Sequence, residues 1–122
     1  MKKDDAKKLE KAIEKLRANL VLVEGKRDKK ALELLGCKNV LTIAGRKNQL
    51  ANLISEKKVI VATDLDKSGN ELAEAIKNEI EGFAQVDCET RRELGKLLRL
   101  KYFEDIKRKY EKFYEEKGEK NG

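Results

Sequence analysis

Residues 59–69 read Val-Ile-Val-Ala-Thr-Asp-Leu-Asp-Lys-Ser-Gly, an apolar run that ends at two carboxylates, Asp64 and Asp66. A short run without polar interruptions predicts a strand that is buried on both faces of a sheet. A second run, residues 19–25, is built in the same way and ends at Glu24. Because the carboxyl ends of parallel strands open onto one edge of the sheet, we expect the three acids to face one ligand.

Strands and helices alternate along the chain. The apolar pattern predicts strands at 20–24, 39–43 and 58–63, with a fourth, less apolar one at 83–86. Helices are predicted after the first three strands; the first of them stops at Gly36, the second carries Leu50, Leu53 and Ile54, and the third stops at Gly82. This alternation predicts an α/β fold, a three-layer Rossmann-like sandwich with a mostly parallel sheet of about four strands and helices on both faces.

The flanks of this core are predicted to be helical. Residues 4–18 have the spacing of an amphipathic helix. Thr90-Arg-Arg-Glu93 has the form of a capping box, which predicts one long helix with apolar positions from Leu94 to Phe113, and fraying is expected from Glu115 onward. The chain thus divides into an N-terminal helix, an α/β core and a C-terminal helical extension, at residues 1–18, 19–88 and 89–122.

Composition narrows the chemistry. The 122 residues include no histidine, which removes the usual general base of hydrolases and the commonest zinc ligand. Charged residues make up 43% of the chain, a proportion that suggests a thermophile. The net charge of +6 lies mostly in the flanks, and such a balance permits nucleic-acid binding without requiring it.

Localisation follows from what the sequence lacks. We find neither a secretory signal pattern nor an apolar run long enough to cross a bilayer. Cys37 and Cys88 stand alone, without the spacing of metal ligands, and are expected to be core or surface residues rather than a disulfide. The sequence therefore predicts a cytoplasmic protein that does not associate with membranes.

Cations accompany the acids at the same predicted edge. Three carboxylates at one edge repel each other unless a cation lies between them, and Mg²⁺ prefers such oxygen ligands together with phosphates. The loops after the first three strands also carry basic residues, namely Lys26, Arg27, Arg46, Lys47 and Lys67. This combination suits a phosphodiester substrate, with metal on the reacting phosphate and basic side chains on its neighbours, although ordinary surface charge explains the basic residues equally well.

Two motifs resemble the Toprim family. Residues 23–28, Val-Glu-Gly-Lys-Arg-Asp, look like its first motif, and residues 63–69, Thr-Asp-Leu-Asp-Lys-Ser-Gly, look like its Asp-x-Asp-x-x-Gly motif. The resemblance covers about residues 19–88. Toprim domains occur in type IA and type II topoisomerases, bacterial-type primases, OLD-family nucleases, RecR-like repair proteins and the ribonuclease that matures 5S ribosomal RNA. The residues of the two motifs most resemble those of that ribonuclease, of primase-type domains and of small stand-alone Toprim proteins.

The resemblance implies a role for each motif residue. Glu24 would act as general acid or base and as a metal ligand, and Asp64 and Asp66 would hold Mg²⁺, for which Mn²⁺ could substitute. Gly25 and Gly69 would let the backbone approach a phosphate closely.

Three positions add to this comparison or depart from it. Asp28 matches an acid often found after the Glu-Gly, although a role at the start of a helix suits it as well. Asn70 is a further candidate site residue, standing where the family commonly has glutamate, and Leu65 stands where it commonly has proline. The asparagine at position 70 leaves the number of bound metal ions open.

The resemblance implies Mg²⁺-dependent phosphoryl transfer on a nucleic-acid backbone, by a nuclease that acts on structured RNA or DNA. The alternative is a non-catalytic adaptor that binds nucleic acid or a protein partner in replication, repair or RNA processing, and the flanking helices would offer a surface for a homodimer or a larger partner. A phosphoacceptor or nucleotide-binding α/β domain that uses the acidic edge differently ranks last, because no Walker loop and no Gly-x-Gly-x-x-Gly motif supports the nucleotide version.

Overall fold

The computed structural model describes the backbone of residues 3–121, and their side chains except those of Lys3, Lys47 and residues 117–121. Within that range four parallel strands form one sheet, in the order β2-β1-β3-β4. They are β1 (Leu20–Val23), β2 (Val40–Thr42), β3 (Lys58–Val61) and β4 (Gln85–Asp87). The predicted α/β class and the parallel sheet are confirmed.

Six α-helices surround the sheet in the described residues. They are α1 (Lys3–Ala18), α2 (Lys26–Leu34), α3 (Leu50–Leu53), α4 (Lys67–Ile80), α5 (Glu89–Leu98) and α6 (Ile106–Asn121). Two 3-10 turns, at Lys47–Gln49 and Phe103–Asp105, precede α3 and α6. Helix α6 continues past Glu115, where fraying is predicted, to Asn121. None of the helices in residues 3–121 has the length and apolar character needed to cross a membrane.

Helices cover both faces of the sheet. Val21 and Val23 of β1 belong to an apolar cluster with side chains of α1, α2, α5 and α6. Leu20 and Leu22, which alternate with them, belong to a second cluster with side chains of α3 and α4. All four β1 side chains are buried, which is why the strand contains no polar residue.

The strand order decides which loops meet. Strands β1 and β3 are hydrogen-bonded neighbours, with Val21 opposite Ile60. Glu24 follows β1 and Asp64 lies three residues beyond β3, so the two acids lie on adjacent loops at the carboxyl edge of the sheet.

The predicted capping box at the start of α5 is wrong. Thr90 lies inside the helix and is buried. Asp87, the last residue of β4, instead accepts hydrogen bonds from the amides of Glu89 and Thr90, each at 2.9 Å. Its short carboxylate reaches the unpaired amides of the first turn, as a capping side chain does.

The single long helix predicted for the C-terminal extension is also wrong, because the chain breaks after α5. Arg99 has a left-handed backbone, with φ of 53°, a conformation that costs about 1–2 kcal/mol. The break places Leu100 and Phe103 in the apolar core, with 4% and 0% of their surfaces exposed. Burying a Phe side chain alone stabilises by about 1.5–3 kcal/mol, so the burial of both outweighs the strain.

Candidate active site

A hydrogen bond joins the two acidic loops. Glu24 is partly buried, and its Oε2 accepts a hydrogen bond from the backbone N–H of Asp64 at 2.7 Å. The Glu24 carboxylate is therefore held against the loop that carries the two aspartates, at the edge predicted from the sequence.

The carboxylate of Asp64 is held by the C-terminal extension. Its Oδ1 accepts a hydrogen bond from the backbone N–H of Phe103 at 2.9 Å. A second bond nearby, from Leu65 N–H to the carbonyl of Lys101 at 2.7 Å, ties the same two segments together. Sequence reasoning missed this contact, because it depends on the break between α5 and α6.

Asp66 caps helix α4. Its Oδ1 accepts a hydrogen bond from the N–H of Gly69 at 2.7 Å, and the Thr63 hydroxyl donates to the Gly69 carbonyl at 2.7 Å. A Cβ atom on Gly69 would lie 1.8 Å from the carbonyl oxygen of Asp64, so close packing of the loop against the helix itself requires glycine here. A Cβ atom on Gly25 would meet nothing within 4 Å, which leaves this glycine open to an approaching ligand.

Burial and like charge act together on Asp64. Burial raises the pKa of its carboxyl to about 6, against the hydrogen bond from Phe103, which lowers it. The negative charges of neighbouring acids contribute to this rise, those acids being Asp28, Glu24 and Asp66. These acids are thus close enough to interact electrostatically.

Asp28 lies in the first turn of α2 and is 8% exposed. Its Oδ2 accepts a hydrogen bond from Gly25 N–H at 3.0 Å, so the predicted role at the start of a helix is confirmed. Burial raises the pKa of Asp28, and the charges of Glu24 and Glu104 add to that rise. Asp28 therefore also adds negative charge beside the site.

The carboxylates of Glu24, Asp64 and Asp66 are chemically suitable ligands for a hard cation, but they do not converge into a cluster. In the described part of the chain, hydrogen bonds occupy one oxygen each of Glu24, Asp64 and Asp66 and leave the other available. Among the side chains that the structure describes, no three from His, Cys, Asp or Glu stand close enough together to hold a metal ion. Ligation by one or two of these carboxylates, completed by phosphate oxygens and water, is what Mg²⁺ ordinarily uses.

Arg91 stabilises the loop that carries Asp64 through hydrogen bonds to its backbone. Sequence reasoning did not identify Arg91 as a site residue. It is 3% exposed, and its Nε donates to the carbonyl of Thr63 at 3.0 Å. Its Nη2 donates to the Asp64 carbonyl at 2.6 Å and to the Asn70 side chain at 2.8 Å. Burial lowers the pKa of Arg91, whereas the charges of Glu24 and Asp64 raise it. The buried Arg91 guanidinium thus places a positive charge next to the acidic loop.

The sequence did contain a signal for Arg91. Leu94 and Leu98 follow it at positions i+3 and i+7 and are buried, so Arg91 lies on the apolar face of α5. A charged residue on such a face usually has a specific partner. The partners of Arg91 are the two backbone carbonyls and the side chain of Asn70, which is a candidate site residue by resemblance. The side-chain oxygen of Asn70 is therefore occupied by the hydrogen bond from Arg91.

Replacing Arg91 with methionine is expected to lower the free energy of unfolding by about 2–4 kcal/mol, because two buried carbonyls lose their donors. Arg92→Met is the matched control, since Arg92 is exposed and pairs with exposed Glu89, and such pairs contribute about 0–1 kcal/mol. Urea denaturation of both variants measures the difference. Equal midpoints for the two would show that Arg91 does not brace the loop.

The predicted phosphate-binding cations differ in where they lie. Lys26 and Lys67 are exposed at the first positions of α2 and α4, and Arg46 is exposed in the loop after β2, all at the carboxyl edge. Arg27 is exposed too, but its guanidinium lies 3.9 Å from the Glu104 carboxylate, on the side of the C-terminal extension. The side chain of Lys47 lies outside the described residues.

The raised pKa of Asp64 predicts a pH dependence of stability. Because the folded state holds this proton more tightly than the unfolded state, whose pKa is near 3.8, stability falls as pH rises from about 4 to about 6. We expect a contribution on the order of 1–2 kcal/mol, since solvent still reaches part of the side chain. Denaturation in EDTA at several pH values, compared with Asp64→Asn, measures it, and an identical pH profile for both proteins would contradict the assignment.

Comparison with known proteins agrees with the fold. The family described as Toprim domain matches residues 19–94. A UPF0292 protein from Pyrococcus furiosus is 38% identical over 96 residues, which cover 75% of this chain and 73% of the relative. A UPF0292 protein from Thermococcus sibiricus is 35% identical, covering 90% and 94% of the two chains. Both organisms are thermophilic archaea. A solved structure from Aquifex aeolicus aligns with a TM-score of 0.71 at 30% identity, covering 80% of this chain and 96% of that one.

Proposed function

The chain belongs to the Toprim domain family, and from this we propose that it is a Mg²⁺-dependent nuclease that cleaves phosphodiester bonds in structured RNA or DNA. The observation that carries the proposal is the 2.7 Å hydrogen bond between Glu24 and the amide of Asp64. This bond holds the Glu24 carboxylate, which can transfer a proton, against the loop that bears two candidate metal ligands. Both parts of the chemistry can therefore act on one phosphate.

Each acidic residue has a distinct role in this proposal. Bound Mg²⁺ would polarise the phosphoryl group. Asp64 and Asp66 would hold the ion through the oxygens that the backbone amides do not use. Glu24 would keep Oε2 on the Asp64 amide and use Oε1 to take a proton from the attacking water or to give one to the leaving oxygen.

The exposed cations of the edge would position the strand. Lys26, Arg46 and Lys67 would contact phosphates on either side of the reacting one, which is the role that the sequence also predicts for Lys47. We expect such an enzyme to act in the cytoplasm, since its two free cysteines suit a reducing compartment. A homodimer through the flanking helices remains a further proposal that gel filtration can test.

The test is cleavage of structured RNA and of nicked or single-stranded DNA, in Mg²⁺, in Mn²⁺ and in EDTA. We expect cleavage with either ion, none in EDTA, and a loss of about 100-fold or more in Asp64→Asn. Asparagine keeps an oxygen that can accept the Phe103 N–H, so this variant should stay folded. Cleavage in EDTA, or unchanged activity in Asp64→Asn, would refute the proposal.

One observation favours a second candidate, a Toprim adaptor that binds nucleic acid without cutting it. In the described residues the three acids do not converge into a ready metal cluster, and Asn70 is bound to Arg91. Binding that weakens steeply with salt and leaves the nucleic acid intact would select this candidate.

A further inference from the structure

A cleft of about 430 Å³ lies directly beside Glu24. It is bounded by the residues that follow β2 on one side and by helix α4 on the other, and Glu24 forms part of its wall. Its volume falls in the range of about 300–1,000 Å³ that is typical of small-ligand sites. The chemistry proposed for the carboxyl edge gives this space no role.

Most of the cleft wall is apolar. Ile43 and Leu72 contribute branched side chains to it, and Ile43 is fully buried. Ala44 and Ala75 line it with single methyl groups and are exposed, so the cleft opens to solvent past small side chains. A ligand with an apolar face could therefore enter between the loop and the helix.

The polar groups of the cleft are mainly acceptors. Glu24 and Glu71 contribute carboxylates, and Ser68 contributes a hydroxyl. Two carboxylates repel a phosphate, so the sugar–phosphate backbone would stay at the mouth, near the basic loops. With Glu24 engaged in the proposed proton transfer, Glu71 and Ser68 can accept hydrogen bonds from the amino groups of adenine, cytosine and guanine, whereas uracil and thymine offer only a single ring N–H.

We propose that this cleft binds one unpaired nucleobase with an exocyclic amino group, from the nucleotide next to the phosphate at Glu24. The proposal rests on the proposed function and narrows its substrate class to strands with an unpaired base beside the bond that is cut. A base in the cleft cannot be paired or stacked within a duplex, as in other proteins that extrude a base into a pocket.

The first test fills the cleft. Ala75→Leu adds bulk at an exposed position of α4, and Ala18→Leu makes the same change at the exposed end of α1. Fluorescence anisotropy in EDTA measures binding of short oligo-dA, oligo-dC and oligo-dT without cleavage. We expect the wild type to bind oligo-dA and oligo-dC about 5-fold or more tighter than oligo-dT. Ala75→Leu should weaken oligo-dA binding about 10-fold, whereas Ala18→Leu should not.

The second test removes an acceptor charge. Glu71→Gln gives the cleft a donor and should reduce the preference for oligo-dA over oligo-dT, whereas Glu74→Gln, at an exposed position of the same helix, should leave it unchanged. Base-selective binding that Ala75→Leu weakens supports the cleft even if nothing is cut, in which case only the nuclease proposal fails. Cleavage by Ala75→Leu with unaltered affinity and base preference overturns the cleft alone. A protein that binds none of these strands contradicts the cleft proposal, and the cleavage assay in Mg²⁺ then decides the nuclease proposal separately.

Discussion

Replacing Glu24 with glutamine is expected to reduce the rate of cleavage by about 10²- to 10⁴-fold, the range for loss of a general acid or base. The amide oxygen of glutamine can still accept the Asp64 N–H that Glu24 accepts at 2.7 Å, so the two loops stay joined. What is lost is the group able to exchange a proton. Single-turnover cleavage with saturating Mg²⁺, together with urea denaturation, separates the chemical effect from any effect on folding.

Glu33→Gln serves as the control for this variant, because Glu33 is exposed on α2 and should affect neither rate nor stability. A second readout does not depend on turnover. The charge of Glu24 raises the pKa of Asp64, so Glu24→Gln should lower that pKa when the carboxyl carbon is titrated by NMR. A fully active Glu24→Gln protein would remove Glu24 from the reaction, and an unchanged pKa of Asp64 would contradict the geometry itself.

Replacing Gly69 with alanine should produce the largest loss of stability, about 3 kcal/mol or more, at the upper end of what overpacking costs. The added Cβ would lie 1.8 Å from the Asp64 carbonyl oxygen and 2.6 Å from its carbon. Both are backbone atoms, so no side-chain rotation relieves the clash. Either α4 or the loop of Asp64 must move, and movement would break the hydrogen bonds that Arg91 donates to this loop and the one that Asp66 accepts from Gly69. Chemical denaturation measures the loss, and cleavage should fall with it.

Gly82→Ala is the matched control. A Cβ atom on Gly82 would meet nothing within 4 Å, and its φ does not lie in the left-handed region. Alanine in such a position changes stability by less than about 1 kcal/mol, often favourably. If Gly69→Ala proved as stable as Gly82→Ala, the close approach of α4 to the Asp64 loop would be refuted.

Much of the fold could be predicted from local patterns. Uninterrupted apolar runs are tolerated only where both faces are covered, so β1 and β3 indicated a parallel sheet between helix layers. The acids that end those runs had to emerge at the carboxyl edge, because chain direction is shared in a parallel sheet. The motifs around Glu24 and Asp64 indicated the family, and the family match confirms it. The catalytic and metal roles of these residues stay predictions.

Helix boundaries in the C-terminal extension could not be predicted in the same way. The apolar spacing from Leu94 to Phe113 is compatible with one helix, and nothing local marks Arg99 as a break. The break exists because Leu100 and Phe103 find room in the core formed by other elements. A local pattern records which residues are apolar, and only packing determines how the chain bends to bury them.

By itself, the sequence determined the class of fold, the edge on which the acids emerge and the chemical type of ligand they suit, because strand burial and carboxylate chemistry are local properties. The tertiary structure alone decided how those acids are held. Phe103 N–H reaches Asp64 across 39 positions and the Arg91 guanidinium reaches the Asp64 carbonyl across 27. Such contacts join segments that are distant in sequence, and only the packing of the C-terminal extension against the sheet brings them together.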